Sequence, residues 1–197
     1  MKRCLLCTLL MLCLSGCQVL PFARELESTM LVQVLGVDWT QGTVTLTAAK
    51  DPQEDTGEPG QAVLCAGGED LLQAEAALKG MGEEYVSLTH VTQLVLGRDT
   101  QVREVLQAVL DEPDLGQGAT VWIAREGTAQ QLLQGANGGA RRLSSIQLNS
   151  GLEPVTVLQA LMHLEEDGQV ALPQLALEGE TLVPLEPILI REDDHGT

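Results

Sequence analysis

The chain has 197 residues, 44% of them hydrophobic but only 2% aromatic, and 11 basic residues stand against 28 acidic ones for a formal net charge of −17. That length suits one domain of ordinary size or one domain with the beginning of another, and Phe22, Tyr85, Trp39 and Trp122 are the whole aromatic set, so the core must be built from Leu, Val and Ala. A surface this negative repels nucleic-acid phosphates and anionic lipid headgroups, which argues against either as a direct partner of the domain. The charge serves either to keep the domain soluble or to meet a cationic patch on a protein partner.

In chain order, Lys2 and Arg3 precede an apolar run from Leu5 to Leu14 that ends in Leu14-Ser15-Gly16-Cys17. This is the pattern of a secretory signal peptide, residues 1–16, with a lipoprotein processing site. The run is about half of what a membrane span needs. Cleavage before Cys17 leaves a sulfur that carries acyl chains, and two or three such chains hold a soluble domain durably at a membrane, each buried methylene contributing about 0.8 kcal/mol. Residues 17–29 form the lipidated tether, in which Pro21 interrupts any helix.

Met30 to Val37 is a nearly continuous apolar run of strand length, and Thr43 to Ala48 alternates Thr with apolar residues. Together they predict a hairpin turning at Trp39-Thr40-Gln41-Gly42. Asp51 to Gly60, with four acids, two prolines and two glycines, reads as an exposed loop. A third strand over Ala62–Ala66 is followed by a helix from Asp70 to Lys79, with Leu71, Leu72 and Leu78 on one side and Gly80 and Gly82 as its stop. A strand is expected over Val91–Leu96. Val102, Val105, Leu106, Val109 and Leu110 then give the clearest amphipathic helix, closed by Pro113, before a strand over Ala119–Ala124.

Thr128 with Gln131, and Thr156 with Gln159, stand at capping-box spacing before apolar residues and start two further helices. The second bears Val157, Leu158, Leu161 and Met162 and ends at Gly168, and the glycine-rich stretch between the two reads as a mobile connection. Strand, helix, strand, helix from residue 91 to 135 favours at least one parallel pair, since a helical crossover joins parallel neighbours, whereas the amino-terminal hairpin adds an antiparallel pair. The expectation is therefore an α/β (α+β mixed) single domain over 30–190, a mixed sheet packed by three to four short helices, with an acidic tail at 191–197.

Chemistry-bearing residues are scattered. His163 lies beside Glu165 and Glu166 on a helix, where a solvated side chain is expected, and Asp193-Asp194-His195 reads as a frayed tail rather than a metal site. His90, after Ser87-Leu88-Thr89, reads as a structural hydrogen-bonding residue. Cys65 is the one cysteine outside the signal peptide and lipid site, so the mature chain has no intramolecular disulfide, and its apolar setting AVLCA suggests a buried, unreactive thiol. Gly135, Gly138 and Gly139 lack phosphate-binding spacing, and no G-x-S-x-G, H-E-x-x-H or C-x-x-C occurs in the mature chain. No catalytic residue, metal site or cofactor is expected, and a binding or scaffolding module is the simplest reading.

Several of these segments recur in a familiar order. The lipobox cysteine is followed by Arg24-Glu25-Leu26, then Val34-Leu35-Gly36-Val37-Asp38 and a Thr/Val strand; Leu88-Thr89-His90 leads into Thr92–Gly97. Asp111-Glu112-Pro113-Asp114, Thr120–Ala124, Gly127-Thr128-Ala129 with Leu132-Leu133, Thr156–Leu164 and Leu172-Pro173 complete the series. The chain resembles the amino-terminal domain of the Ger(x)C family, the lipoprotein C subunits of nutrient germinant receptors in endospore-forming bacteria. The resemblance implies a non-enzymatic lipoprotein on the outer face of the spore inner membrane, anchored at Cys17 and acting with integral-membrane germinant receptor A and B subunits. Family members continue with two further mixed α/β domains, so Gly179–Ile190 is expected to lead onward. The family's Trp-Asp after the lipid cysteine is replaced here by Gln18-Val19. Two other classes are weighed against this one: a lipid-anchored solute-binding protein for a transporter, for which the domain is small and poor in aromatic stacking surfaces, and a cell-envelope hydrolase.

Overall fold

In the computed structural model, which describes residues 29–50, 62–81, 85–136 and 139–191, strands that bury side chains on both faces decide the architecture. The strands are β1 (Thr29–Leu31), β2 (Val34–Thr40), β3 (Thr43–Lys50), β4 (Ala62–Gly68), β5 (Tyr85–Ser87), β6 (Gln93–Leu96), β7 (Thr120–Ala124), β8 (Gln169–Glu178) and β9 (Thr181–Arg191). The helices are α1 (Leu71–Lys79), α2 (Val102–Asp111), α3 (Ala129–Gly135), α4 (Gly139–Asn149) and α5 (Val157–Asp167). Seven strands form one sheet in the order β4-β3-β2-β6-β7-β8-β9, and β1 and β5 pair separately. β2, β6, β7 and β8 run parallel, while β3, β4 and β9 are antiparallel to their neighbours. The class is the expected one, α/β with a mixed sheet.

Because successive strand residues point to opposite faces, β6 and β7 feed two cores. Leu94, Leu96, Val121 and Ile123 join a large apolar cluster with residues of α1, α2 and α5. Val95, Trp122 and Ala124 join a smaller cluster with residues of α3 and α4. The sheet is thus the middle of three layers.

Local signals explain most helix ends. Asp70 caps α1 by accepting from the Gln73 amide at 2.7 Å. Both predicted capping boxes form: Thr128 accepts from Gln131 N and the Gln131 side chain from Thr128 N, and Thr156 and Gln159 repeat the arrangement. Such caps contribute about 1 kcal/mol each. Gly168 closes α5 in the left-handed conformation, with φ 68°, which glycine adopts without the Cβ clash.

The structure departs from expectation in several places. The hairpin turn is only Gln41-Gly42, both at positive φ (51° and 78°), the geometry of a tight two-residue turn. The run Met30–Val37 is split, its first residues pairing in parallel with β5, a strand absent from the sequence reading. Leu72 on α1 is 64% exposed, and the buried side is Leu71, Ala74, Glu75 and Leu78. On α5, Leu158 and Met162 are exposed while Val157, Ala160, Leu161 and Leu164 are buried: adjacent apolar residues straddle two faces of a helix, and only one reaches the core.

The stretch read as a mobile connection contains α4, held by Leu143 and Ile146 one turn apart, which raises the helix number among the described residues to five. Within Gly179–Ile190 the chain turns back on itself, and Thr181–Arg191 returns as β9 along β8, a strand absent from the sequence reading. Its prolines, Pro184 and Pro187, lie on an edge strand, where a missing amide donor is tolerated, and Pro173 falls at the register shift between Leu172 and Gln174. The signal peptide, Cys17 and the loop 51–60 lie outside the described residues, as does the acidic tail except for Arg191, which ends β9.

Candidate functional site

Open parallel sheets place ligands beyond the carboxyl ends of their strands, so the ends of β2, β6 and β7 come first. Asp38, at 8% exposure, stands near the end of β2. Its Oδ1 accepts from the Ala129 amide at 2.7 Å and its Oδ2 from Gln130 at 3.1 Å, the first two amides of α3. Together with Thr128, which takes the Gln131 amide at 3.0 Å, this satisfies the amino end of α3 from within the protein. No amide of that first turn is left for an anion.

Glycines make the arrangement possible. A Cβ on Gly97 would lie 2.0 Å from Asp38 Oδ1, and one on Gly36 would meet Leu133 at 2.8 Å, so Gly36 lets α3 settle on β2 and Gly97 leaves room for the carboxylate. Thr100, 1% exposed, donates to the Val37 carbonyl at 3.3 Å and accepts from Trp39 N at 3.3 Å, and Arg98 N reaches Gly127 O at 2.9 Å. Burial pushes the Asp38 carboxyl above its ordinary value of 3.8, against the two amides, which favour the ionised form. The junction is a structural clasp.

A second polar chain crosses the α3/α4 face. Trp122 Nε1 donates to Gln93 Oε1 at 2.7 Å, Gln93 Nε2 to Gln147 Oε1 at 2.6 Å, and Gln147 Nε2 to Thr120 Oγ1 at 2.9 Å. Gln93 and Trp122 are each 2% exposed, so the chain meets the demand that buried polar groups be paired.

A third cluster lies under the first face. Lys79 at the end of α1 pairs with Glu75 one turn earlier and with Asp114 at 3.0 Å. Burial works to lower the lysine's pKa, and the hydrogen bonds and charges of Glu75 and Asp114 overcome it and hold the ammonium above its ordinary value. With Glu112, these two acids are a group of three carboxylates, among the described residues, whose ligand oxygens lie within 4.8 Å of one another.

One concavity, of about 420 Å³, is a groove between α5 and the β8–β9 hairpin, with Val155, His163, Asp167, Pro173, Pro187 and Leu189 in its lining. A second of about 340 Å³ is lined by Arg125, Gln131, Leu132 and Leu177, among others. Neither brings a nucleophile and a base together. His163 is exposed and meets Asp167 one turn on in its own helix, at 3.4 Å.

Cys65 is half-buried on β4, not fully enclosed; its thiol contacts Thr47 Oγ1 at 3.7 Å and accepts from Gln134 Nε2 at 3.6 Å. His90 is exposed in a turn before β6 and does not open that strand. Gly135 ends α3 and Gly139 begins α4. Cys17, Gly138 and Asp193-Asp194-His195 lie outside the described residues. Sequence reasoning missed Asp38 and Gln93; the available signal was Gly36-x-Asp38, a small residue and an acid on one face at the end of a strand, with a capped helix waiting downstream.

The sequence model of the family described as spore germination protein N-terminal domain matches residues 23–177. The chain belongs to that family, which gives it a germination-related role. Among curated proteins and among solved structures, nothing matches.

Proposed function

We propose, from the premise of that family membership, that this chain is a non-enzymatic lipoprotein subunit of a nutrient germinant receptor. It is anchored through acyl chains on Cys17 at the extracytoplasmic face of the spore inner membrane. It works by contact with integral-membrane A and B subunits, and it needs no cofactor. The family match over residues 23–177 carries the reading. Two observations support it. Leu14-Ser15-Gly16-Cys17 has the form of a lipoprotein processing site, and the apolar run before it, Leu5 to Leu14, is about half of what a membrane span needs.

The test is made in spores. Cys17→Ala is expected to abolish lipid labelling, to release the chain from the membrane fraction and to suppress nutrient-triggered germination, while receptor-independent germination continues. Affinity capture of the wild-type chain is expected to bring down a multi-spanning membrane subunit. Native protein recovered from a cytosolic fraction with an unmodified amino terminus upstream of Cys17 overturns the anchoring. Normal nutrient response in spores lacking the chain overturns the receptor role.

A further inference from the structure

We propose that Glu75, Glu112 and Asp114 form a binding site for a hard divalent cation, best fitted by Ca²⁺, in which the Lys79 ammonium is the resident competitor. The argument starts from Glu75. It shares the buried side of α1 with Leu71, Ala74 and Leu78, where an apolar residue is the cheapest choice, and it is only 3% exposed. One carboxylate oxygen receives Lys79; the other, Oε2, is buried and has no hydrogen-bond partner among the described residues. A buried oxygen of this kind calls for a water, a proton or a cation.

Glu112 and Asp114, in the turn that follows α2, complete the set. Three carboxylates drawn from a helix and a separate turn, two of them only partly buried, suit Ca²⁺, which takes oxygen ligands in flexible geometry; Mg²⁺ demands a near-ideal octahedral shell and keeps several waters. An all-carboxylate set lacks the sulfur or imidazole that selects zinc. Lysine serves the cluster incompletely. Its ammonium reaches Glu75 and Asp114 but leaves Glu75 Oε2 unmet, and one positive charge faces three carboxylates. The Lys79 side chain is 25% exposed on a flexible stem, so it can swing toward solvent as the cation enters. Three carboxylates completed by water predict a dissociation constant on the order of 10⁻⁴–10⁻³ M.

The experiment titrates the full chain with CaCl₂, and separately with MgCl₂, by calorimetry at constant ionic strength, alongside thermal unfolding in chelator and in about 5 mM Ca²⁺, several times the expected dissociation constant. Wild type is expected to bind Ca²⁺ saturably and more tightly than Mg²⁺. Lys79→Met is expected to bind several-fold more tightly, and to be less thermostable than wild type in chelator but restored by Ca²⁺. Asp114→Asn, at a half-exposed position, is expected to fold and to lose at least about tenfold in affinity. No saturable Ca²⁺ binding by wild type overturns the proposal. So does Asp114→Asn binding as wild type does, which marks diffuse counterion attraction to an acidic surface. Should Lys79→Met fail to fold, wild type and Asp114→Asn still decide.

Discussion

The two faces of the sheet are fed by the same strands and built on different principles. The face covered by α1, α2 and α5 is a broad apolar cluster whose specificity comes from shape, with Leu35, Leu46, Leu94, Leu106 and Ile123 almost wholly excluded from water. The face covered by α3 and α4 has a smaller cluster and supplements it with directed polar links, Asp38 to the start of α3 and Gln93 between Trp122 and Gln147. Apolar packing is tolerant of composition and sensitive to volume. A buried hydrogen-bonded chain is the reverse, because losing one partner leaves the other desolvated and unpaired.

Substitutions sharpen this contrast. The largest effect is expected for Leu106→Ala on the apolar face, about 2–5 kcal/mol from lost burial and the cavity left behind, measured by urea unfolding. Next comes Trp122→Phe on the other face, which keeps an aromatic ring but removes the donor to Gln93; about 1–3 kcal/mol is expected, more than the volume change accounts for. A Trp122→Phe chain as stable as wild type would break the contrast and reduce the polar chain to decoration.

The smallest effect is expected for pH. The folded-state pKa of Asp38 is raised, so its contribution to stability is fully present below the ordinary value of 3.8 and is lost as pH rises through the higher folded-state value. Relative to Asp38→Asn, wild type should therefore gain stability on acidification through that window. Parallel stability-versus-pH curves for the two chains would remove Asp38 from the pH dependence.

How much of this was legible follows the same division. Helix α2 could be read directly, because Val102, Val105, Leu106 and Val109 place one apolar side chain per turn or better on a single stripe. The boxes at Thr128 and Thr156 are encoded within four residues, so the starts of α3 and α5 were equally plain. Helix α4 was not: Leu143 and Ile146 are its buried apolar anchors among polar neighbours, Leu148 is 83% exposed, and Gln147, its third inward link, looks like a surface residue until Gln93 is known to face it. The exposure of Leu72 against the burial of Glu75 escaped for a related reason: Lys79, one turn on, pairs with the acid on the inner side of α1. The C-terminal hairpin was obscured by Pro173, Pro184 and Pro187, which suppress a strand signal until a bulge and a sheet edge accommodate them.

The clasp between Asp38 and α3 joins residues 91 positions apart in the sequence. A helix of seven residues does not persist in water on its own, so α3 owes its form to its partners in the fold, Asp38 of the first hairpin among them. The middle of the chain thereby proofreads its beginning: a molecule whose opening hairpin is misaligned is left with loose amides near residue 129, and hydrogen exchange at that spot alone would distinguish correctly assembled molecules from the rest.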